Sequence, residues 1–125
     1  MRKLLIADDE TGIRELVRMT LESDAYEIVE ASNGEEAVAL ARELHPELVL
    51  LDVMMPRLDG FEACLKIKED PATSDIVVVM LTARAQESDR ELGQAAGADE
   101  YFTKPFSPVA LMRLVEEIYS TRLAS

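Results

Sequence analysis

The sequence predicts a doubly wound α/β fold, in which a five-stranded parallel sheet carries helices on both faces. Short apolar runs alternate five times with stripes of helical period, and the runs at residues 48–51 and 76–81 contain no polar residue. Alternating βα units form parallel sheets, and gapless apolar strands are typical of strands buried on both sides. The 125 residues match one domain of ordinary size. We expect a single domain over residues 1–125, with no effector domain in this chain.

In each of the first two βα units, a short apolar run is followed by apolar residues at helical spacing. Residues 4–7 form the first strand, and the helix after it has one face formed by Ile13, Leu16, Val17, Thr20 and Leu21. Residues 26–31 form the second strand, which we place at an edge of the sheet because it contains two glutamates. The second helix has its stripe at Ala37, Val38, Ala41 and Leu44. It ends at His45-Pro46, because the helical region is disfavoured before proline.

The third and fourth strands are the two gapless runs, at residues 48–51 and 76–81. We therefore place them in the middle of the sheet. The helix between them has one face formed by Phe61, Cys64, Leu65 and Lys68. A weaker fourth helix follows, with its stripe at Leu92, Ala95 and Ala96.

The last unit has a short strand and a well-marked helix. The strand covers residues 100–102. Ser107 is suited to cap the helix and Pro108 to occupy its first position. The helix continues with a stripe at Leu111, Leu114, Val115 and Ile118.

Charge and composition exclude several classes of function. The chain has 13 Lys and Arg against 25 Asp and Glu, a net charge of −12, so phosphate backbones would repel it and we expect no nucleic-acid binding by this chain. No apolar run approaches the ~20 residues of a membrane span, and we expect no membrane partner. One cysteine forms no internal disulfide, and the N-terminus is unlike a signal peptide. We therefore expect a cytoplasmic protein.

Polar side chains follow four of the predicted strands at their carboxyl ends. Asp8 and Asp9 follow the first strand, Asp52 the third, Thr82 the fourth and Lys104 the fifth. Ligands of open parallel sheets bind at this edge. Three neighbouring carboxylates would resist ionisation, and Mg²⁺ with oxygen ligands relieves that repulsion. Because a carboxylate can attack phosphorus and phosphoryl transfer needs neutralising charge, the set is suited to accept a phosphoryl group on an aspartate.

Four segments resemble the receiver domains of two-component response regulators, the CheY-like family. They are LLIADDE, LVLLDVMMPRLDGFE, VVVMLTAR and GADEYFTKPFSP, and they extend from Leu4 to Pro108. The resemblance implies a flavodoxin-like sheet in the strand order 2-1-3-4-5. It also implies a phosphorelay module that assists its own aspartyl phosphorylation and dephosphorylation, rather than a turnover enzyme.

The resemblance implies an acceptor and a metal site. Asp52 would be the phosphoacceptor. Asp9 and Asp52 would ligate Mg²⁺ or Mn²⁺ directly, with the backbone carbonyl of Met54 as a third protein ligand. Asp8 would act on the metal largely through water.

The resemblance also implies a switch around the acceptor. Thr82 would hydrogen-bond a phosphoryl oxygen after phosphorylation. Lys104 would pair with the acceptor carboxylate and then with the phosphoryl group. Tyr101 matches the aromatic switch position of the family, and the bond between Lys104 and Pro105 matches one that is cis in the family.

The implied partners are a donor and a target. The donor would be a sensor histidine kinase or a histidine phosphotransfer protein. A downstream target or effector domain would bind the face formed by the fourth helix, the fifth strand and the fifth helix. Receivers of the transcription-factor branch form homodimers through this face, but their helix-five arginine falls at Leu114. Here Arg113 lies about a quarter-turn away, which argues against the same homodimer.

Three other functions share parts of this pattern. A receiver-like protein-binding module that works without phosphorylation would keep the fold, and it predicts the same partner binding with and without a phosphoryl donor. A flavodoxin-like cofactor carrier needs a loop that cradles phosphate, whereas Asp8-Asp9-Glu10 would repel one. A phosphatase of the haloacid dehalogenase type needs two aspartates separated by one residue after the first strand, and here they are adjacent.

Overall fold

The computed structural model describes residues 2–82, 91, 94–104 and 106–123. Within them the strands are β1 (Arg2–Ala7), β2 (Tyr26–Ala31), β3 (Leu48–Asp52), β4 (Val77–Thr82) and β5 (Glu100–Thr103). The longer helices are α1 (Thr11–Leu21), α2 (Gly34–Leu44), α3 (Gly60–Glu69) and α4 (Pro108–Thr121), the last being the predicted fifth helix. The predicted fourth helix lies largely outside the described residues, although residues 94–96 are helical.

The sheet is parallel throughout, in the order β2-β1-β3-β4-β5. The predicted fold class and strand order are therefore confirmed, with the glutamate-bearing β2 at an edge. The register pairs Ala7 with Leu51 and Thr82 with Thr103. Because the strands end nearly level, the residues that follow them emerge along one edge of the sheet.

The core consists of two apolar layers, one on each face of the sheet. Alternate residues of β1 and β3 enter opposite layers, so Leu5 and Val49 pack beneath α2 and α3, whereas Leu4 and Leu48 pack beneath α1 and α4. All these side chains are fully buried. The burial on both faces explains why these strands contain no alternating polar residues.

The buried face of α3 differs from the prediction. Its buried residues are Gly60, Ala63, Cys64 and Ile67, which follow the spacing of one helical face. Leu65 is 39% exposed, so its predicted place on the buried face is wrong. The prediction counted large apolar residues, whereas the sheet accepts the small side chain of Ala63 close to its surface.

Side chains cap three of the helices at their N-termini. Asn33, Asp59 and Ser107 each accept a backbone N–H from three residues further on, so the predicted start of the C-terminal helix is confirmed. Helix α2 ends at His45 as predicted, but His45 adopts a left-handed conformation with φ of 46°. In the described part of the chain, no helix combines the length and apolarity that a membrane crossing requires.

Candidate functional site

The loop after β1 gathers three carboxylates. Ligand oxygens of Asp8, Asp9 and Glu10 all lie within 4.8 Å of one another. Asp8 is fully buried, and its Oδ1 accepts the backbone N–H of Glu10 at 2.9 Å. Asp9 and Glu10 are exposed. Glu10 is not among the predicted site residues, although its position directly after two aspartates was the available signal.

Asp52 ends β3 on a backbone that is closely covered by α3. It is 5% exposed, and its Oδ1 lies 3.4 Å from the backbone nitrogen of Met54. A Cβ at Gly60 would lie 2.1 Å from the Asp52 carbonyl oxygen, and the Gly60 N–H donates to the Val53 carbonyl at 2.9 Å. Glycine at the start of α3 therefore allows this helix to sit directly against the end of β3 that carries Asp52.

Lys104 joins the loop after β1 to the end of β3. Its Nζ lies 2.7 Å from Oδ2 of Asp8, 3.3 Å from Oδ1 of Asp52 and 4.0 Å from Oε1 of Glu10. The lysine side chain is 13% exposed, and the Lys104 N–H donates to the Thr82 carbonyl at 2.7 Å. The structure thus brings together Asp8, Asp52 and Lys104, with the shorter ion pair going to Asp8.

The ionisation of Asp52 and Lys104 reflects this shared environment. The pKa of Asp52 is raised to about 6, because burial and the charge of Asp8 together raise it more than Lys104 and the Met54 N–H lower it. Burial alone would lower the pKa of Lys104, but its contacts with Asp8 and Asp52 raise it above its ordinary value. Lys104 therefore remains an ammonium group, and the carboxylates around it outnumber it.

The remaining predicted residues differ in how deeply they are buried. Thr82 is 4% exposed at the end of β4. Tyr101 is half-buried on β5 and packs against the core layer beneath α2 and α3. The Met54 side chain is 76% exposed, while its backbone adjoins Asp52. Pro105, with the bond that precedes it, lies outside the described residues.

A parallel sheet in this order, with an acidic loop, a buried aspartate and a lysine at its carboxyl edge, defines a class of signalling domain. A family model described as the response regulator receiver domain matches residues 4–116. The chain therefore belongs to the response regulator receiver family. Phosphorylation-dependent two-component signalling is the general function of this family.

Individual relatives agree with this assignment. The transcriptional regulatory protein ResD of Bacillus subtilis (strain 168) is 50% identical over 106 residues, which are 85% of this chain and 43% of ResD. The chain spans about half the length of the curated relatives it matches. Among solved structures, chemotaxis protein CheY4 of Vibrio cholerae has a TM-score of 0.89 and 31% identity, covering 94% of this chain and 98% of that chain.

One structural neighbour contains a metal. The receiver domain of sensor histidine kinase PA1611 from Pseudomonas aeruginosa PAO1 was solved with a magnesium ion coordinated in its active site cleft. It has a TM-score of 0.83 and 27% identity, and the match covers 96% of this chain and 98% of that chain. Receiver domains bind Mg²⁺ in an acidic pocket, and the loop after β1 supplies an acidic cluster in this chain.

Proposed function

We propose that Asp52 accepts a phosphoryl group from a sensor histidine kinase or a histidine phosphotransfer protein, and that the modified domain then binds a different partner surface. The observation that carries this proposal is the position of Lys104, whose ammonium group lies 2.7 Å from Asp8 and 3.3 Å from Asp52. A buried carboxylate at a strand end, with a cation beside it, is a nucleophile placed for phosphoryl transfer.

The transfer step uses the chain's own side chains. An Oδ of Asp52 attacks phosphorus and forms a P–O bond, while the bond between phosphorus and the donor's imidazole nitrogen breaks. The electron pair remains on that nitrogen, which takes a proton from solvent. Lys104 favours the ionised acceptor before transfer and neutralises phosphoryl oxygens afterwards, and Thr82 donates its hydroxyl hydrogen to one of them.

The acidic cluster is suited to a hard divalent cation. Carboxylate oxygens are the ligands that Mg²⁺ and Mn²⁺ prefer, and among the described residues this edge of the sheet brings Asp8, Glu10 and Asp52 around a single lysine. We propose Asp8, Asp9, Asp52 and the Met54 carbonyl as the protein ligands, and Glu10 joins this set because it lies within the same 4.8 Å group. When bound, the metal supplies positive charge that neutralises the transferred phosphoryl group.

The proposed output surface lies beside the acceptor. New charge at Asp52 would draw Thr82 inward and allow Tyr101 to turn, which alters the surface of β5, α4 and the segment before β5. A downstream target or effector domain would bind there, and the transcriptional regulators among the relatives support an effector of that kind. Asp99 and Glu100, at the start of this surface, form ion pairs with Lys68 and Arg122 within the chain.

Intact mass spectrometry tests the acceptor directly. The chain is incubated with Mg²⁺ and acetyl phosphate, and we expect a gain of one phosphoryl group that is absent without Mg²⁺. Asp52→Asn should gain nothing. Asp59→Asn is the matched control, because Asp59 caps α3 nearby and asparagine caps equally well; it should be labelled like the unmodified chain.

Two results would contradict the proposal. Full labelling of Asp52→Asn would move the acceptor to another residue. A folded, unmodified chain that gains no mass with metal present would favour a receiver-like binding module that works without phosphorylation. Equal partner binding with and without donor would then support that second function.

A further inference from the structure

Arg14, in the second turn of α1, contacts three separate segments with one guanidinium group. Its Nη1 donates to the backbone carbonyl of Asp8 at 2.7 Å, and its Nε donates to Oε1 of Glu30 at 3.0 Å. Its Nη2 donates to Oγ1 of Thr11 at 3.3 Å. The Arg14 side chain is only 16% exposed. A planar guanidinium that satisfies three oxygens at once is held in one orientation.

The Asp8 carbonyl lies beyond the paired part of the sheet. Register pairs between β1 and its neighbours stop at Ala7, and Asp8 itself is fully buried. A buried backbone carbonyl needs a hydrogen-bond donor, and Arg14 supplies it where the strand ladder has ended. Arg14 therefore fixes the backbone at Asp8, one residue beyond the last register pair of β1, where the loop of Asp8, Asp9 and Glu10 begins.

This carbonyl belongs to the peptide group that joins the two aspartates. The peptide group is planar, and its plane contains both the Asp8 and the Asp9 Cα atoms. Fixing the direction of the Asp8 carbonyl therefore fixes the plane from which both side chains depart. Arg14 touches neither carboxylate, so it acts on their positions rather than on a bound ligand.

Glu30 holds the guanidinium from the other side. Its two oxygens are divided between two arginines, with Oε1 3.0 Å from Arg14 and Oε2 2.8 Å from Arg18. Among the described residues, Arg18 contacts Glu30, Glu22 and the Ile28 carbonyl, rather than Asp8. The chain thus contains two arginines that share one carboxylate, and only Arg14 reaches the loop.

We infer that Arg14 is a positioning residue for the acidic cluster, which orients the Asp8–Asp9 peptide group and thereby sets the affinity of the loop for Mg²⁺. This inference rests on the metal site of the proposed function. Groups that orient metal ligands without touching the metal typically change affinity by about 10- to 100-fold when removed. The affinity for Mg²⁺ should therefore depend on a residue that is not a ligand.

Calorimetric titration of the 125-residue chain with Mg²⁺ tests the inference. We expect Arg14→Met to weaken Mg²⁺ binding about tenfold, and the matched control Arg18→Met to stay within about twofold of the unmodified chain. Either substitution removes one positive charge near an acidic site, which by itself strengthens the binding of a dication. If Mg²⁺ binding weakens in Arg14→Met and not in Arg18→Met, the lost charge cannot be the cause, because it would strengthen binding. The weaker binding then reports the lost orientation of the loop.

The other outcomes separate this inference from the proposed function. Unmodified chain that fails to bind Mg²⁺ contradicts the proposed metal site. Unmodified chain that binds, together with Arg14→Met of equal affinity or with equal weakening in Arg18→Met, overturns the role of Arg14 alone. If Arg14→Met does not fold, as judged by circular dichroism, Arg14→Lys decides, because lysine keeps the charge but not the planar fork. Its Mg²⁺ affinity should fall at least about threefold, and unchanged affinity overturns the inference.

Discussion

A Cβ atom on Gly60 would lie 2.1 Å from the carbonyl oxygen of Asp52 and 2.8 Å from the Cα of Val53. Both contacts are to backbone atoms, which cannot move aside as a flexible side chain would. The same loop is covered from α2, where a Cβ on Gly34 would lie 1.9 Å from the Leu58 carbonyl oxygen. The segment that carries Asp52 and Met54 is therefore held between two helix starts that only glycine allows so close.

Gly60→Ala is expected to destabilise the domain by about 2 kcal/mol or more, because overpacked positions force the backbone to shift. The substitution should also slow phosphoryl uptake, since the displaced strand end is that of Asp52. Gly12→Ala is the matched control: nothing lies within 4 Å of its Cβ position in α1, and alanine there should be neutral or stabilising by up to about 1 kcal/mol. Urea unfolding measures both, and equal stability of the two variants would contradict this prediction.

Lys104→Met is expected to change metal binding and phosphoryl uptake in opposite directions. At the proposed metal site, the ammonium group that lies beside Asp8 and Asp52 would compete with a divalent cation, so its removal should tighten Mg²⁺ binding. The same removal takes away the cation beside the acceptor, and phosphoryl uptake from acetyl phosphate should fall at least about tenfold. Calorimetry and timed intact-mass measurements separate the two effects. If Lys104→Met takes up the phosphoryl group at the same rate as the unmodified chain, the role proposed for Lys104 is wrong.

Glu30 should make part of the stability depend on pH. Burial alone would raise its pKa, but hydrogen bonds from Arg18 and Arg14 lower it below its ordinary value. The unfolded chain then binds the proton more readily, so this stabilisation is complete above the ordinary glutamate pKa and is lost as pH falls through the lower pKa of the folded state.

Unfolding free energies of the unmodified chain and Glu30→Gln, measured in urea from about pH 7 to about pH 3.5, check this dependence. The difference between the two proteins should shrink as the pH falls. Glu27→Gln is the control on the same strand, because its side chain is 50% exposed and its contact with Lys3 is 3.6 Å long. If the difference in unfolding free energy between the unmodified chain and Glu30→Gln stayed constant over the whole pH range, the charge of the Glu30 carboxylate would not be what stabilises the domain.

Asp99, directly before β5, contacts α3 and β4 through one oxygen. Its Oδ2 lies 2.8 Å from Nζ of Lys68 and accepts the Val78 N–H at 2.8 Å, and the ion pair is largely buried. Asp99→Asn keeps an acceptor for the Val78 N–H but removes the charge that faces Lys68. We therefore expect the free energy of unfolding to fall by about 1–2 kcal/mol. Asp75→Asn should cost less than about 0.5 kcal/mol, because Asp75 is 72% exposed in its contact with His45. If urea unfolding showed the same loss of stability for Asp99→Asn and Asp75→Asn, this prediction would be wrong.

The sequence predicts the fold well because its strongest patterns have a simple physical origin. Strands buried on both faces contain no polar residue, and residues 48–51 and 77–81 show this most clearly. Parallel strands also share a carboxyl edge, so the residues at the carboxyl end of each predicted strand are enough to bring Asp8, Asp52 and Lys104 together. The buried face of α3 was misplaced because small residues such as Ala63 carry little weight in a pattern of large apolar ones.

The finer structure of the site depends on side-chain reach, which periodicity does not describe. The position of Arg14 in α1 says which face it occupies, but not that its guanidinium extends to the Asp8 carbonyl. In the same way, the order of residues places Lys104 at the edge without indicating that Asp8 is its closer partner. Both contacts depend on how long side chains satisfy buried oxygens once the strands have ended.

The Lys104–Asp8 ion pair joins residues that are 96 positions apart, and this separation has a consequence for synthesis. A ribosome adds Asp8 and Asp52 long before it adds the lysine that forms ion pairs with both. Contacts of such long range form only after the chain between them has been ordered. The fifth strand and the lysine that follows it are therefore the parts that complete the sheet and bring Lys104 to Asp8 and Asp52.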